Sequence, residues 1–136
     1  MAEECTTAVC SVGIAIVEDE KELVKVYRKL FERKGITICF VAFDGKEAVT
    51  KFIECVPKPR VIVMDYRLPI MNGIEASKEI LKLDPDARII FLSADIGVKE
   101  EAMKTGARTF LKKPVGIKDM INAVEAALNR KPLKTA

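Results

Sequence analysis

Four places in this 136-residue sequence carry side chains that can hold a metal ion or a phosphoryl group. Each follows an apolar run of strand length, and the residues concerned are Glu18, Asp19, Glu20, Asp65, Ser93 and Lys113. Carboxylates that are packed together repel one another, and a divalent cation with oxygen ligands relieves the repulsion. If these runs are neighbouring strands, the sequence predicts a Mg²⁺ site beside a hydroxyl group and an ammonium group.

The stretch "VIVMDYRLPIMNG", residues 61–73, begins as a buried strand and ends in the carboxylate of Asp65. A buried, ionised carboxylate needs a cation nearby, and Mg²⁺ together with Lys113 would supply one. A carboxylate held in this way is placed for in-line attack on a phosphoryl group. Mg²⁺ would bind one phosphoryl oxygen, Lys113 a second and the Ser93 hydroxyl a third. The predicted product is an aspartyl phosphate.

Each of these residues also has a purely structural interpretation. Asp19 or Glu20 suits the start of a helix, and Ser93 suits a helix N-cap. Asp65 would then only end a strand, and Lys113 would be an exposed charge before a proline. Their joint arrival at the ends of four predicted strands, and so at one edge of the sheet, favours a functional site over these separate explanations.

The elements that must position these residues alternate regularly along the chain. Five Val- and Ile-rich runs alternate with amphipathic segments, which predicts a five-stranded parallel sheet with helices on both faces, in the flavodoxin-like order 2-1-3-4-5. The strands then end at one edge, where ligands bind. A short fourth helix is predicted over 98–105. The second helix is predicted to bury Ala48, Val49, Phe52 and Ile53. The last helix is predicted to bury Ile117, Met120, Ile121, Val124 and Leu128.

Composition excludes several classes of function. The chain has no histidine, which excludes His-based metal sites and Ser–His or Cys–His catalysis. A net charge of +3 with mixed signs predicts no direct nucleic-acid binding. The apolar runs are too short to insert into a membrane, and the acidic N-terminus is unlike a secretory signal, so we expect a cytoplasmic protein. The four cysteines are expected to be reduced, with Cys39 a small buried hydrophobe and Cys5 and Cys10 in a tail.

Four motifs together resemble the receiver domain of response regulators. They are "VEDE" after strand one, "DYRLPIMNG" after strand three, "LSA" after strand four and "FLKKP" in strand five. The resemblance covers about residues 12–130, which predicts a tail at 1–11, a receiver domain at 12–130 and a second tail at 131–136. It implies a phosphorylation-dependent signalling switch of a two-component system, and not an enzyme.

The resemblance also implies a role for each matching residue at the metal site. Asp65 would be the phosphoacceptor, assisted by Lys113. Asp19 would bind Mg²⁺ directly, as would Asp65 and the backbone carbonyl of Arg67. Glu18 would act through a water molecule, although it stands where Asp is frequent in the family.

Ser93 and Phe110 look like the switch pair of the family. By resemblance, the Ser93 hydroxyl binds the phosphoryl group and the Phe110 ring turns inward, which alters the surface of helix four, strand five and helix five. The implied partners are a sensor histidine kinase or a histidine phosphotransfer protein as donor, and an effector protein that binds the altered surface. The bond between Lys113 and Pro114 is similar to one that is usually cis in the family.

Two further charged residues should flank the mouth of the site. Arg67 and Asp95 are hypothesised to pair across it and to slow attack by water; the alternative is two independently solvated side chains.

Other assignments compete with the receiver. A phosphatase of the haloacid dehalogenase type needs a second Asp where Arg67 stands. A flavodoxin-like FMN carrier needs a phosphate-binding loop where Glu18, Asp19 and Glu20 stand. Within the family, we expect a stand-alone receiver; a receiver from a longer regulator is the alternative.

Overall fold

The computed structural model describes residues 13–128 of the chain and contains one parallel sheet of five strands. Its order is β2-β1-β3-β4-β5, which confirms the predicted fold. The strands are β1 Ile14–Val17, β2 Ile38–Ala42, β3 Val61–Asp65, β4 Arg88–Ser93 and β5 Thr109–Lys112. Because all five run in the same direction, their C-terminal ends share one edge of the sheet.

Helices cover both faces of the sheet, as the alternating pattern predicts. They are α1 Lys21–Arg33, α2 Gly45–Glu54, α3 Gly73–Leu83, α4 Lys99–Thr105 and α5 Ile117–Leu128. One core packs α1 and α5 against the sheet through residues such as Phe31 and Val124. The second core packs α2, α3 and α4 against the other face through residues such as Phe52, Ile80 and Ala102.

The central strands are the most deeply buried elements. Every residue of β1, β3 and β4 is buried except Arg88, which starts β4. The strands at the two edges are different: most of β2 and all of β5 lie half-buried or exposed, because each has a neighbour on one side only. Cys39 on β2 is accordingly half-buried, so its predicted full burial is wrong.

Two residues that were predicted to face the core are exposed. Ile53 is 54% exposed, because Ala48 and Phe52 set the buried face of α2 and Ile53 follows Phe52 by about 100° around the helix. Ile117 is 61% exposed, because it is the first residue of α5 and lies before the part of that helix that packs on the sheet. The other predicted core residues of these two helices are buried or packed against the core.

The fourth helical segment has two parts. A 3₁₀ turn over Ile96–Val98 precedes α4, so helical structure begins two residues before the predicted start at 98. The predicted tails at 1–11 and 131–136, with Cys5 and Cys10, lie outside the described residues, as do both ends of the predicted 12–130 domain. Within residues 13–128, no helix has the length and apolar content that crossing a bilayer requires.

Candidate functional site

Of the four carboxylates that the sequence assigned to one edge of the sheet, Glu18, Asp19 and Asp65 lie together, whereas Glu20 is the N-cap residue of α1. Glu18 and Asp19 directly follow β1, and Asp65 is the last residue of the neighbouring strand β3. One carboxylate oxygen from each of the three lies within 4.8 Å of the others. Glu18 and Asp65 are buried, whereas Asp19 is exposed at the mouth of the site.

Lys113 closes this cluster from the end of β5. Its Nζ lies 2.9 Å from Oδ1 of Asp65 and 3.3 Å from Oε1 of Glu18. The second oxygen of the Glu18 carboxylate accepts a hydrogen bond of 3.2 Å from the backbone N–H of Glu20. The Lys113–Pro114 peptide bond is cis, as the resemblance implied. One ammonium group therefore contacts two buried carboxylates.

Burial dominates the ionisation of the two buried carboxylates. It raises the pKa of Glu18 to about 7, with a further contribution from the charge of Asp65, and Lys113 only partly offsets both. Burial also raises the pKa of Asp65 against the opposing effect of Lys113. The pKa of Lys113 is lowered by burial, but its hydrogen bond to Asp65 and the two carboxylate charges raise it more, so the net shift is upward. The cluster therefore lacks sufficient positive charge for its carboxylates.

This donor set fits a hard divalent cation such as Mg²⁺. Three carboxylates supply oxygen ligands at a spacing that one ion can bridge. The raised pKa values of Glu18 and Asp65 mark negative charge that a cation would stabilise. The side chains of Asp19, Arg67 and Asp95 line an open cavity of about 550 Å³ beside the cluster. The role of the Arg67 carbonyl stays a prediction.

The loop between β3 and α3 fixes the position of Asp65. A Cβ atom on Gly73 would overlap the carbonyl oxygen of Asp65, so the start of α3 approaches the end of β3 as only glycine allows. The N–H of Gly73 donates to the carbonyl of Tyr66 at 2.9 Å. Asn72 and Glu75 form a reciprocal capping box at this helix start, which holds the loop in place.

The same loop contains a strained residue that the sequence did not reveal. Ile70 has φ = 70°, and the N–H of Met71 donates to the carbonyl of Pro69 at 2.7 Å across it. A β-branched residue rarely adopts this conformation, which costs about 1–3 kcal/mol. Its side chain is 78% exposed, so packing of the side chain does not explain the choice of isoleucine.

The proposed switch residues lie on adjacent strands. Ser93 ends β4 and is buried, and its Oγ accepts a hydrogen bond of 2.9 Å from the N–H of Asp95. Phe110 on β5 is half-buried, and its ring stacks on Phe91 with centroids 6.2 Å apart. The ring of Tyr66, next to the predicted phosphoacceptor, lies tilted against Phe91 at the same separation. Sequence reasoning missed Tyr66 and Phe91, although strand register could have aligned Phe91 with Phe110.

The hypothesised ion pair between Arg67 and Asp95 is not formed. Both line the same cavity, but Asp95 caps the 3₁₀ turn by accepting from the N–H of Gly97 at 2.8 Å. Arg67 has no ion pair with any residue between 13 and 128. The backbone N–H of Gly97 is close in the chain and satisfies the Asp95 carboxylate, so this structure favours the alternative of separate side chains.

A parallel α/β sheet that ends in three carboxylates and one lysine defines a domain with an acidic site that is suited to a divalent cation. Residues 14–125 match the family model of the response regulator receiver domain. The chain therefore belongs to the response regulator receiver domain family.

Individual relatives agree with this assignment. The chain is 39% identical over 103 residues to the chemotaxis protein CheY of Thermotoga maritima, covering 74% of this chain and 84% of that protein. It is 33% identical to Bacillus subtilis CheY, covering 85% and 97%.

Solved structures agree as well. The Francisella response regulator 1452 receiver domain has a TM-score of 0.76 and 32% identity, with 85% of this chain and 95% of that chain covered. The CheY of the CheX–CheY–BeF₃–Mg²⁺ complex from Borrelia burgdorferi has a TM-score of 0.80 and 29% identity, with 87% and 90% covered. Receiver domains are signalling switches that generally bind Mg²⁺ at an acidic site, and this chain has the acidic cluster for it.

Proposed function

We propose that this receiver accepts a phosphoryl group on Asp65 and thereby controls the binding of a partner protein. The observation that carries the proposal is the 2.9 Å contact between Lys113 Nζ and Asp65 Oδ1 inside the three-carboxylate cluster. This contact supports the proposal, because it holds the Asp65 carboxylate beside an ammonium group at the edge of the sheet where ligands bind in such folds.

Asp19, Asp65 and the backbone carbonyl of Arg67 would bind Mg²⁺ directly, and Glu18 would bind it through a water molecule. The ion would neutralise charge on the phosphoryl oxygens during transfer. Glu18 suits an indirect role, because both of its carboxylate oxygens already have partners, Lys113 Nζ and the Glu20 N–H. Asp19 suits a direct role, because it is exposed at the mouth of the site.

The donor would be a phosphohistidine of a sensor kinase or of a histidine phosphotransfer protein. A carboxylate oxygen of Asp65 forms a bond to phosphorus while the phosphorus–nitrogen bond breaks. The bonding electron pair stays on the imidazole nitrogen of the donor, and the donor leaves as neutral imidazole because its other ring nitrogen already carries a proton. The Lys113 ammonium lies 2.9 Å from Asp65 Oδ1 and would bind a phosphoryl oxygen once the acyl phosphate forms.

A cleft beside Lys113 would bind a helix of the donor protein, the one that carries the phosphohistidine. It has a volume of about 510 Å³ and lies between α1 and the segment that joins β5 to α5. Its lining is mostly apolar and includes two exposed hydrophobic side chains, Val26 and Ile117. Because Lys113 belongs to both the cleft and the phosphorylation site, a helix seated there would bring its imidazole close to Asp65.

Ser93 and Phe110 would convert phosphorylation into a change of surface. The Ser93 hydroxyl now accepts from the N–H of Asp95, and it still has a proton to donate to a phosphoryl oxygen. Movement of Ser93 toward that oxygen would move the following loop and let the half-buried Phe110 ring turn inward. The altered surface would comprise α4, β5 and α5.

The downstream partner is proposed to be a protein that distinguishes the two states of this surface. The solved complex of Borrelia burgdorferi CheY with CheX, BeF₃ and Mg²⁺ supports a partner protein of this kind. That the receiver acts without an attached output domain stays a prediction.

Intact-mass spectrometry after incubation with acetyl phosphate and Mg²⁺ tests the phosphoacceptor. The wild type should gain the mass of one phosphoryl group, and Asp65→Asn should gain none. Asp119→Asn serves as the matched control, because Asp119 is exposed in the first turn of α5. A phosphorylated Asp65→Asn protein, or an unmodified wild type, would overturn the proposal.

A second experiment separates donor docking from chemistry. Val26→Glu should slow transfer from a phosphorylated histidine phosphotransfer domain by about tenfold, because it introduces a charge into an apolar contact. Labelling by acetyl phosphate should be unchanged, since that donor needs no docking surface. Ile53→Glu on α2 is the control, because Ile53 has a similar exposure and lies outside the cleft. Equal effects of the two substitutions would rule out the cleft.

A further inference from the structure

Three arginines meet at the edge of the sheet opposite the carboxylates. Arg60 immediately precedes β3, Arg88 is the first residue of β4, and Arg108 immediately precedes β5. These strands are adjacent in the sheet, and all three arginines line one open cleft of about 500 Å³. The molecule therefore has a second charged rim, of opposite sign to the first.

The backbone at this rim is fixed by hydrogen bonds between neighbouring strands. The N–H of Arg60 donates to the carbonyl of Gly13 at 2.9 Å, and the N–H of Arg88 donates to the carbonyl of Arg60 at 3.1 Å. The N–H of Arg108 donates to the carbonyl of Ile89 at 2.8 Å. The Cα positions of the three arginines are thus held by the sheet before any ligand arrives, which lowers the cost of ordering them on binding.

Helix dipoles explain some of the cations at this end of the molecule but not all of them. Lys58 donates to the carbonyls of Phe52 and Cys55 at the C-terminal end of α2, and the guanidinium group of Arg88 donates to the carbonyl of Ala127 near the end of α5. These two side chains have structural partners.

Arg60 and Arg108 are different. Across residues 13–128, neither guanidinium group makes a side-chain hydrogen bond or an ion pair. Within residues 13–128, some exposed cations, such as Lys82 and Lys104, pair with glutamates on their own helices, whereas others, such as Arg33, have no ion pair. Two guanidinium groups that line one cleft without an ionic partner offer positive charge to an oxyanion. Planar guanidinium groups match phosphate oxygens in bidentate geometry.

One acidic residue lies in the same cleft. Asp86 lines it beside Arg88, and the backbone N–H of Asp86 donates to Oδ1 of Asp84 at 3.0 Å. Its own carboxylate can only accept hydrogen bonds. A ligand that is anionic throughout would be repelled by this carboxylate, whereas a ligand that also carries hydroxyl or amino donors would be bound by it.

We propose that this cleft binds a nucleotide, with the phosphate groups on Arg60 and Arg108 and the ribose or base donors on Asp86. Its volume is within the usual range for small-molecule sites, roughly 300–1,000 Å³. Among residues 13–128, the lining contains no aromatic side chain on which successive bases of a single strand would stack. A free nucleotide is therefore favoured over a nucleic acid. The site is independent of Asp65, which lies at the other end of β3.

Calorimetric titration of the full chain with ADP tests the proposal. ADP should bind at one site, and Arg60→Gln and Arg108→Gln should each weaken binding by about tenfold, because each removes a charge-assisted contact. Arg33→Gln is the matched control: it removes the same charge from the C-terminal turn of α1, outside the cleft. Urea unfolding of each variant shows that the fold is retained. No saturable ADP binding, or an equal loss in Arg33→Gln, would overturn the proposal.

Two more titrations distinguish a nucleotide from other anions. Pyrophosphate should bind about tenfold more weakly than ADP, and Asp86→Asn should remove most of that preference. Equal affinity of the wild type for pyrophosphate and ADP, or stronger ADP binding by Asp86→Asn than by wild type, would contradict the nucleotide assignment. Either result would show that the Asp86 carboxylate only repels the phosphate groups. Tighter binding of a single-stranded oligonucleotide than of ADP would also overturn it. None of these results depends on phosphorylation of Asp65.

Discussion

The ring of Phe110 stacks on the ring of Phe91, with centroids 6.2 Å apart and ring planes 19° apart. The two residues are register partners on β5 and β4. Tyr66 contacts the other side of this pair through a tilted ring at 6.2 Å from Phe91. A row of three rings therefore extends from the residue after Asp65 to the residue that we propose as the switch.

Removing the central ring should separate phosphorylation from switching. Phe91→Leu should leave the rate of labelling by acetyl phosphate within about twofold of wild type, because no atom of Phe91 belongs to the carboxylate cluster. The Phe110 ring loses its stacking partner in this variant. In protein labelled with fluorophenylalanine, the fluorine signal of Phe110 should therefore differ from that of wild type before phosphorylation. Phosphorylation should then change this signal less than it does in wild type. The cost in stability should be about 1–2 kcal/mol.

Phe31→Leu is the control for this experiment, since Phe31 is fully buried in the core on the other face of the sheet. The signal of Phe110 is assigned from a Phe110→Leu sample. If Phe31→Leu shifts the Phe110 signal as much as Phe91→Leu does, the row of three rings formed by Tyr66, Phe91 and Phe110 has no special role in the switch.

Magnesium binding should depend on pH because of Glu18. Burial and the charge of Asp65 raise the pKa of Glu18 to about 7, so below that pH the carboxyl group is protonated and attracts the cation less. The affinity for Mg²⁺ should therefore fall by about tenfold between pH 8 and pH 6, as isothermal titration would measure. Glu18→Gln should bind more weakly at pH 8 and lose most of this dependence. An unchanged pH profile in that variant would contradict the assignment.

The same residue should affect the stability of the metal-free protein. The pKa of Glu18 is higher in the folded state than its ordinary value of 4.5, so the stabilisation from Glu18 is complete below pH 4.5 and is lost as pH rises through about 7. Above that pH the folded state holds a buried charge. Glu18→Gln should consequently be more stable than wild type at pH 8, by on the order of 2 kcal/mol, and about equal at pH 5.

Urea unfolding in a chelating buffer at pH 8 and pH 5 would measure the stability difference between wild type and Glu18→Gln. Because other groups such as Glu47 titrate in both proteins, their effect cancels in this difference. At pH 8, Mg²⁺ should make the wild type more stable than Glu18→Gln, because only the wild type has the Glu18 carboxylate for the ion to stabilise. A variant that is less stable than wild type at pH 8 without metal would show that the charge of Glu18 is satisfied by Lys113 and the Glu20 N–H alone.

The sequence was sufficient to predict the sheet order and the meeting of Asp65 with Lys113. Both follow from strand direction, because parallel strands deliver their C-terminal residues to one edge. Ile53 was misjudged because the residue pattern does not show how wide the buried face of α2 is. Ile117 was misjudged because the pattern does not show where along α5 the packing on the sheet begins. The supposed pair of Arg67 and Asp95 failed because a backbone N–H, which carries no signal in the residue pattern, satisfies Asp95 instead. The strain at Ile70 likewise depends on a turn that only the folded loop reveals.

The close approach of α3 to β3 should make Gly73 sensitive to the smallest substitution. Gly73→Ala places a methyl group against the carbonyl oxygen of Asp65, so either the end of β3 or the start of α3 must move. We expect a loss of about 3 kcal/mol in the free energy of unfolding, measured with urea. In the fraction that remains folded, acetyl phosphate should label Asp65 several-fold more slowly, because the displaced carboxylate leaves its contact with Lys113. Gly116→Ala is the control, since its nearest neighbour would be Asp119 Oδ2 at 3.8 Å. If the two alanine variants are equally stable and equally labelled, the geometry of the loop does not position the phosphoacceptor.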